Sequence, residues 1–188
     1  IVPARSGSKG LKNKNIKSFC GEPLIHWTID FIRKSNLFSR CIVSTDCSDY
    51  RDISLCSGAE VPFLRSSELS SDVATSSAVI IDVFNRLNIS FTPNDFFFLF
   101  EPTSPIRFKN DLDTVLSLLD STNRVVSVTE AKSSHPLFQY SLSTGSRLKQ
   151  TSTVVPSTAR RQDMSQSVYL NGSFYASSIL DFLSNPTF

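Results

Sequence analysis

Apolar runs without polar alternation constrain the fold of this chain more than any other feature. The most apolar of them is DFFFLFEP at 95–102. A strand that exposes one face to water alternates apolar and polar residues, whereas a strand that is buried on both faces does not. The run therefore predicts a sheet that is covered by helices on both faces.

Segments with helical periodicity separate these runs, so strands and helices alternate along the chain. The predicted strands span 1–4, 40–46, 60–65, 95–102 and 123–131, and the predicted helices span 22–36, 49–57, 75–88, 110–121 and 177–184. Such alternation is typical of an α/β fold, because parallel strands need a crossover helix between them. The sequence thus predicts an α/β domain with a mostly parallel sheet.

A single domain, 1–188, is expected, since 188 residues suffice for one substantial core. The stretch 132–161 breaks the α/β pattern, because it is rich in Ser and Thr and has no clear period. It is predicted to form a loop or arm. After it, SVYLNGSFYASS at 167–178 contains Asn171-Gly172, a dipeptide that predicts a turn between two strand-like segments.

Composition excludes several classes of protein. The formal net charge is +2, from 19 Lys and Arg against 17 Asp and Glu, which is too balanced for a protein that wraps nucleic acid. No apolar run is long enough to predict a membrane span. Four cysteines form neither a C-x-x-C pair nor a zinc motif with a His: Cys20, Cys41, Cys47 and Cys56. Free thiols in a reducing compartment are therefore expected.

Positive charge is concentrated at the start of the chain. Five cations precede the first acidic residue, Glu22: Arg5, Lys9, Lys12, Lys14 and Lys17. The segment SGSKG at 6–10 combines glycines, which let the backbone approach a ligand, with a lysine, which neutralises phosphate charge. It matches neither the Walker pattern nor the dinucleotide G-x-G-x-x-G pattern. A polyphosphate site and a solvated basic loop both stay open as interpretations at this point.

Polar segments follow several predicted strands, which is where ligands of open α/β sheets bind. They are the basic loop after the first strand, 44–46 after the second, Arg65 after the third and 101–104 after the fourth. Because the carboxyl ends of parallel strands meet at one edge of the sheet, these segments are expected to line one crevice.

Six motifs carry a resemblance to a known family over nearly the whole chain. They are ARSGSKGLKNKN at 4–15, IVSTD at 42–46, LRSSELSSDVATSS at 64–77, EPTSPIR at 101–107, the His135-Pro136 step, and RRQD with YLNGSFY within 160–175. Together they resemble the acylneuraminate cytidylyltransferases, or CMP-sialic acid synthetases. The resemblance implies a Rossmann-like fold of the nucleotide-diphospho-sugar transferase type. It also implies a nucleotidyltransferase that joins CTP to a sialic-type sugar acid and releases pyrophosphate.

Roles for individual residues follow from the same resemblance. Nucleotide binding is expected from Ala4, Arg5, Ser8, Lys9, Gly10, Asn15, Arg65 and Ser76. Lys14 is expected to act near the α-phosphoryl group and the leaving pyrophosphate, with Arg5 and Lys9 as further catalytic cations. Sugar binding is expected from Glu101, Thr103, Ser104, Arg161, Gln162 and Asn171. Of these, Arg161 is the expected partner of the substrate carboxylate.

The sugar substrate and the activity keep alternatives. Bacterial relatives commonly have Gln at the position of Glu101, so the same reaction on legionaminic, pseudaminic or a Kdo-like acid is one alternative. Mg²⁺ is the implied cofactor, and the family's C-terminal D-x-D motif that holds it is expected beyond Phe188. Loss of that motif would instead give a non-catalytic paralogue that binds CTP or a CMP-sugar. Asp46 and Asp72 could be metal-side carboxylates, and each could equally cap a helix.

Partners and location are also implied by the resemblance. CTP and a nonulosonic acid are the expected small molecules, with neither nucleic acid nor membrane as a partner. A homodimer is expected through the 132–161 arm, with Phe138 and Tyr140 as interface residues and His135 shaping the backbone. The expected location is the cytoplasm, or the nucleus for an animal protein.

Overall fold

The structure is a computed structural model that describes residues 1–131, 135–144, 147–151 and 165–188. The chain divides into two compact units, one of Ile1–Ser127 with Gly172–Phe188 and one of Val128–Asn171. Among the described residues, no helix combines the length and the apolar character that a membrane crossing requires. The single-domain boundaries and the arm stay predictions.

Strands and helices follow one another along the chain, largely in the predicted order. In chain order the elements are β1 Val2–Pro3, β2 Ser18–Phe19, β3 Glu22–Pro23, α1 Leu24–Ser35, β4 Val43–Ser44, α2 Ser48–Cys56, α3 Ser76–Leu87, β5 Phe96–Leu99, α4 Lys109–Leu119, β6 Arg124–Glu130, β7 Tyr140–Ser143, β8 Arg147–Gln150, β9 Val168–Ser178 and α5 Ile179–Ser184. Short 3-10 turns lie at Lys14–Ile16, Glu68–Ser70 and Pro136–Phe138.

The N-terminal part of the sheet is parallel. β1 pairs in parallel with β4, and beyond β4 two parallel bridges join Ile42 to Glu60 and Thr45 to Leu64. The predicted third strand at 60–65 is therefore reduced to these two bridges. A proline at position 62, which has no backbone N–H to donate, interrupts the ladder between them.

β5 lies on the other side of β1 and extends the sheet. The Ile1 amino group donates to the Phe98 carbonyl at 2.7 Å, and the Phe100 amide donates to the Ile1 carbonyl at 3.0 Å. β9 pairs with β5 in the antiparallel direction, and the strand order there is β5-β9-β6. The predicted mostly parallel α/β sheet is confirmed, with β9 as its antiparallel member.

Two apolar clusters explain why β5 lacks polar alternation. Phe98 and Phe100 belong to a cluster with residues of α1 and α4, including Ile25, Ile29 and Leu112. Phe97 and Leu99 belong to a second cluster with residues of α3 and α5, including Ile80, Phe84 and Phe182. Successive side chains of a strand point to opposite faces. Helices therefore cover both faces of this strand from Phe97 to Leu99, and only Phe96 at its start is exposed.

Two helices begin near the predicted positions, with Pro23 as the N-cap residue of α1 and Phe108 as that of α4. One local expectation is wrong. The predicted turn at Asn171-Gly172 does not exist, because β9 runs without a break from Val168 to Ser178. Gly172 still adopts a positive φ of 72°, so the glycine signal marked an unusual backbone conformation within a strand.

The second unit contains a small antiparallel hairpin. Residue Tyr140 of β7 lies opposite Gln150 of β8, and Leu142 lies opposite Leu148. The apolar side chains of Tyr140, Leu142 and Leu148 are exposed, at 52%, 73% and 69% of their surface. A two-stranded hairpin is marginally stable by itself, and exposed apolar residues of this kind are typical of an interaction surface.

Candidate functional site

A cleft of about 480 Å³ opens at the carboxyl ends of β1 and β5 in the first unit. Its volume lies in the usual range for sites that bind small molecules. Three segments line most of it: Arg5, Ser8, Lys9, Gly10, Lys14 and Asn15 from the basic loop, Arg65, Leu69, Ser71, Asp72, Ala74 and Ser76 from the segment that ends with the first residue of α3, and Glu101, Pro102 and Thr103 after β5. The structure thus brings most of the predicted site residues together.

Hydrogen bonds to the rest of the unit hold the basic loop. Ala4 does not line the cleft; it is buried, and its amide donates to a β4 carbonyl at 2.9 Å. The Ser6 amide and hydroxyl donate to the two carboxylate oxygens of Asp46 at 2.9 and 2.8 Å. Asn15 donates from Nδ2 to the Arg5 carbonyl at 3.3 Å. Asp46 is therefore an anchor of the loop, and it does not cap α2.

Asp72 pairs with two cations of the loop. Its carboxylate lies 2.8 Å from Arg5 Nη2 and 2.7 Å from Lys9 Nζ. Arg5 also donates from Nη1 to the Ser71 carbonyl at 2.7 Å. The hydrogen bond from Lys9 and the charges of both cations hold the pKa of Asp72 below its ordinary value. Thr75, not Asp72, caps α3, because its hydroxyl accepts from the Ala78 amide at 3.1 Å.

Lys14 enters the cleft from a 3-10 turn. The turn follows Asn13, which adopts a left-handed conformation with φ 55°, a conformation that Asn tolerates better than most residues. Lys14 lines the cleft, and within the described part of the chain no carboxylate forms an ion pair with it. Its ammonium group is therefore available for a bound anion, unlike that of Lys9.

Arg65 is the most unusual charged group of the cleft. Its backbone amide donates to the Thr45 carbonyl at 2.7 Å, next to the parallel bridge between Thr45 and Leu64. The residue is only 7% exposed. Neither Nε nor Nη2 of its guanidinium has a hydrogen-bond partner among the described residues. Burial lowers the pKa of Arg65, and the charge of Asp46 opposes that shift. Buried donors without partners are costly, so their presence beside a cleft points to a ligand.

The N-terminus of α3 also faces the cleft. Ser76 is the first residue of this 12-residue helix and lines the cleft. The first amides of a helix carry partial positive charge and lack intrahelical acceptors, so they favour an anion. The helix end therefore adds to the positive charge of the loop.

Residues after β5 line another part of the cleft wall. Glu101 and Thr103, both predicted to bind the sugar, are among the lining residues. Ser104 is not; its amide donates to the Glu101 carbonyl at 3.1 Å and turns the chain away. The acidic Glu101 thus contributes a carboxylate to a cleft that is otherwise rich in cations.

The geometry of this cleft does not test the remaining predicted sugar-binding residues. Asn171 belongs to the second unit, where its Nδ2 donates to the Val128 carbonyl at 3.1 Å and to Thr129 Oγ1 at 3.0 Å. Arg161 and Gln162 lie outside the described residues. The sugar-binding roles of these three residues stay predictions.

Sequence reasoning missed two features of the site. The first is the pairing of Asp72 with Arg5 and Lys9. These residues come from two separate motifs, and the spacing of residues within one motif does not predict a contact between two motifs. The second is Arg107, a buried cation that holds the loop after β5. A charged residue at the end of a Pro-containing segment, EPTSPIR, is a signal that could have indicated it.

The described residues do not form a metal site. No group of three or more His, Cys, Asp or Glu side chains in the described ranges is placed to hold an ion. Asp46 is occupied by Ser6, and Asp72 by Arg5 and Lys9. Neither carboxylate fits the metal-side role in this arrangement.

Comparison with known proteins identifies the family. A family model described as "Cytidylyltransferase" matches residues 1–177. The chain belongs to the cytidylyltransferase family. This confirms the predicted resemblance, and it agrees with a cleft that carries cations at the carboxyl ends of the sheet.

Individual cytidylyltransferases resemble this chain to different extents. N-acylneuraminate cytidylyltransferase of Streptococcus agalactiae serotype III is 33% identical over 192 residues, which cover all of this chain and 45% of the relative. CMP-N,N'-diacetyllegionaminic acid synthase of Legionella pneumophila is 37% identical over 110 residues, which cover 57% of this chain and 46% of the relative. The chain spans about half the length of the curated relatives it matches.

A solved structure supports the fold assignment. CMP:2-keto-3-deoxy-manno-octonic acid synthetase complexed with CTP aligns with a TM-score of 0.66 at 15% identity, over all of this chain and 77% of that one. A likeness at this identity concerns the fold alone, and it confirms the predicted Rossmann-like α/β fold.

Proposed function

We propose that this chain carries the nucleotide-activating site of an N-acylneuraminate cytidylyltransferase, which joins CTP to a sialic-type sugar acid. The products would be CMP-N-acylneuraminate and pyrophosphate. Family membership and the S. agalactiae relative support the reaction. The sugar is less constrained than the nucleotide, because a legionaminic acid synthase is also a relative.

One observation carries the proposal, namely the concentration of positive charge in a single cleft. Arg5, Lys9 and Lys14 line it together with Arg65, whose Nε and Nη2 have no hydrogen-bond partner among the described residues. A triphosphate brings several negative charges, and a nucleobase brings acceptors that suit a buried donor. A nucleoside triphosphate satisfies both the cations and Arg65, whereas a simple sugar satisfies neither.

In the proposed reaction the anomeric hydroxyl oxygen of the sugar acid attacks the α-phosphorus of CTP. A new P–O bond forms, the bond from the α-phosphorus to the bridging oxygen breaks, and pyrophosphate leaves with the electron pair of that bond. The hydroxyl proton passes to solvent. Lys14 is proposed to stabilise the charge that develops on the phosphoryl oxygens and the leaving group, since it is a lining cation without an acidic partner in the described part of the chain.

The other cleft residues are proposed to bind and orient CTP. Arg5, Ser8, Lys9 and the backbone at Gly10 would hold the phosphates, and space in front of Gly10 is open, since a Cβ there would meet no atom within 4 Å. Asn15 and Ser76 would lie near the ribose and phosphates, and Arg65 near the cytosine. Holding both reactants in line supplies much of the rate enhancement in such a transfer.

Mg²⁺ dependence is proposed on the family resemblance. The described carboxylates do not form its site, so no step above is assigned to the ion. Pyrophosphate release measured with and without EDTA, and after Mg²⁺ is added back, tests the dependence. Release that is insensitive to EDTA would contradict it.

Two further properties are proposed. A homodimer through the second unit is supported by the exposed apolar residues of its hairpin.

A reducing, cytoplasmic location is supported by the four cysteines, which are all free thiols.

The decisive experiment measures pyrophosphate release by the full-length gene product with CTP, Mg²⁺ and one sugar acid at a time. N-acetylneuraminic, legionaminic, pseudaminic and Kdo acids are compared, with UTP in place of CTP as the nucleotide control. Release that requires CTP and is fastest with N-acetylneuraminic acid supports the proposal. A faster reaction with another acid would reassign the substrate. CTP binding without release from any of the four acids would instead support a non-catalytic paralogue.

A further inference from the structure

The loop at 101–107 is held by one buried side chain. Arg107, at 8% exposure, donates from Nη2 to the Glu101 carbonyl at 2.6 Å. It also donates from Nε to the Ser173 carbonyl at 3.0 Å and from Nη1 to Thr28 Oγ1 at 3.0 Å. These bonds join the start of the loop to β9 and to α1. All three acceptors are neutral oxygens, two backbone carbonyls and one hydroxyl, so the guanidinium holds the loop without a hydrogen bond to a carboxylate.

The pKa of Arg107 is consistent with this arrangement. Burial lowers it to about 10, and the negative charge of Glu101 opposes that shift. The guanidinium is therefore still charged at neutral pH. The three hydrogen bonds that Arg107 donates offset part of the cost of burying its charge.

A second contact involves the side chain of Glu101 itself. A Cβ at Gly172 would lie 2.8 Å from Glu101 Oε2, 3.3 Å from its Cδ and 3.7 Å from Ser104 Oγ. The carboxylate therefore packs directly against the Gly172 backbone. A Cβ there would push the end of this flexible side chain aside, and because Gly172 has a φ of 72° the larger residue would itself be strained.

The Glu101 carboxylate has unused capacity as a hydrogen-bond acceptor. It lines the cleft beside Thr103, and no side chain or amide of the described residues donates to it. An ionised carboxylate only accepts hydrogen bonds. It would therefore attract a hydroxyl or an acylamino N–H of a substrate and repel a substrate carboxylate.

We propose that Arg107 and Gly172 are positioning residues that hold Glu101 as a fixed acceptor for a hydroxyl or acylamino group of the sugar acid. This inference rests on the proposed function. It adds an orientation, in which the donor groups of the sugar face Glu101 and the carboxylate of the sugar faces away from it. Arg107 acts on the loop backbone, and Gly172 leaves room for the side chain.

The test separates sugar recognition from stability. Arg107→Lys and Gly172→Ala are assayed for pyrophosphate release with the sugar acid varied at saturating CTP, while CTP binding is measured by calorimetry. The KM for the sugar acid is expected to rise about tenfold or more in both variants, because a misplaced Glu101 binds the sugar less well. The Kd for CTP is expected to stay within about twofold of the wild-type value.

Arg124→Lys is the matched control, because Arg124 also donates to several carbonyls, those of Asp181, Asn185 and Thr187. It does not line the cleft, so it is expected to lower Tm without changing the KM for the sugar acid.

A double-variant cycle tests whether Gly172 acts through Glu101. Glu101→Ala removes the carboxylate that a Cβ at position 172 would meet. In that background Gly172→Ala is expected to raise the sugar KM no further, because the group that Gly172 positions is already gone. Additive effects would overturn the inference, as would equal losses in CTP and sugar binding.

If the wild-type protein binds CTP but releases no pyrophosphate with any of the four acids, the proposed function itself fails, and the inference fails with it. A wild type that is active, with variants whose sugar KM is unchanged, overturns the inference alone.

Discussion

The Asp72 carboxylate lies 2.7 Å from Lys9 Nζ, so a cation predicted to bind phosphate is paired with an acid from the same cleft. The same carboxylate lies 2.8 Å from Arg5. An incoming triphosphate would compete with Asp72 for both cations. The Asp72 carboxylate thus supplies the negative charge that pairs with both cations in this structure.

Asp72→Asn is expected to strengthen CTP binding by about two- to fivefold at low salt, the size typical of an exposed ion pair. The physical reason is that the triphosphate no longer displaces a charged competitor. Calorimetry at two ionic strengths measures it, and the gain should shrink at high salt because screening weakens both pairings. Glu68→Gln is the control, since Glu68 is exposed on the same segment and does not line the cleft. Weaker binding by Asp72→Asn would show instead that Asp72 orders the cations for CTP.

Lys14→Ala is expected to lower kcat by about 10²–10³-fold while the Kd for CTP changes much less. The reason is that charge on the leaving pyrophosphate grows in the transition state, so a cation there contributes more to the rate than to binding. Steady-state pyrophosphate release and calorimetry provide the two numbers. Lys12→Ala, an exposed lysine of the same loop that does not line the cleft, is the matched control. An unchanged kcat in Lys14→Ala would remove Lys14 from the catalytic set.

Arg65→Met is expected to weaken CTP binding by about tenfold or more and to reduce the preference for CTP over UTP. Tm of the ligand-free protein should stay the same or rise, because the substitution removes buried donors that have no partners among the described residues. Thermal unfolding with and without CTP measures both effects. A marked fall in Tm together with unchanged CTP affinity would show that Arg65 is structural.

Leu142→Asp combined with Leu148→Asp is expected to convert the proposed dimer into a monomer. The two side chains lie opposite each other on the hairpin and are largely exposed, so a charge there would be desolvated in an apolar interface. Light scattering after size exclusion measures the mass of the particle. Leu118→Asp is the control, because Leu118 is an exposed leucine of α4 in the first unit. A wild-type monomer at micromolar concentration would contradict the proposal before any variant is made.

Sequence patterns predicted the α/β order well because each pattern reports a local constraint. The run at 95–102 indicated burial on both faces, and Phe97 and Phe98 do pack in different clusters. The same patterns gave wrong predictions where a residue pairs or forms hydrogen bonds with a segment that is distant in sequence. Asn171-Gly172 reads as a turn, yet the backbone continues as a strand, because pairing with β5 and β6 outweighs the local preference of the dipeptide. Asp46 reads as a helix cap, yet Ser6 accounts for its hydrogen bonds.

By itself the sequence determined the fold class, the family and the concentration of cations in the first loop, because periodicity, motif order and composition are properties of the chain. Only the tertiary structure decided how those cations are used. It paired Lys9 with Asp72, left Lys14 without an acid within the described residues, buried Arg65 without partners there, and placed Glu101 against Gly172. These relationships join segments far apart in the chain, and hydrogen bonds, ion pairs and burial depend on distances in space that only folding sets.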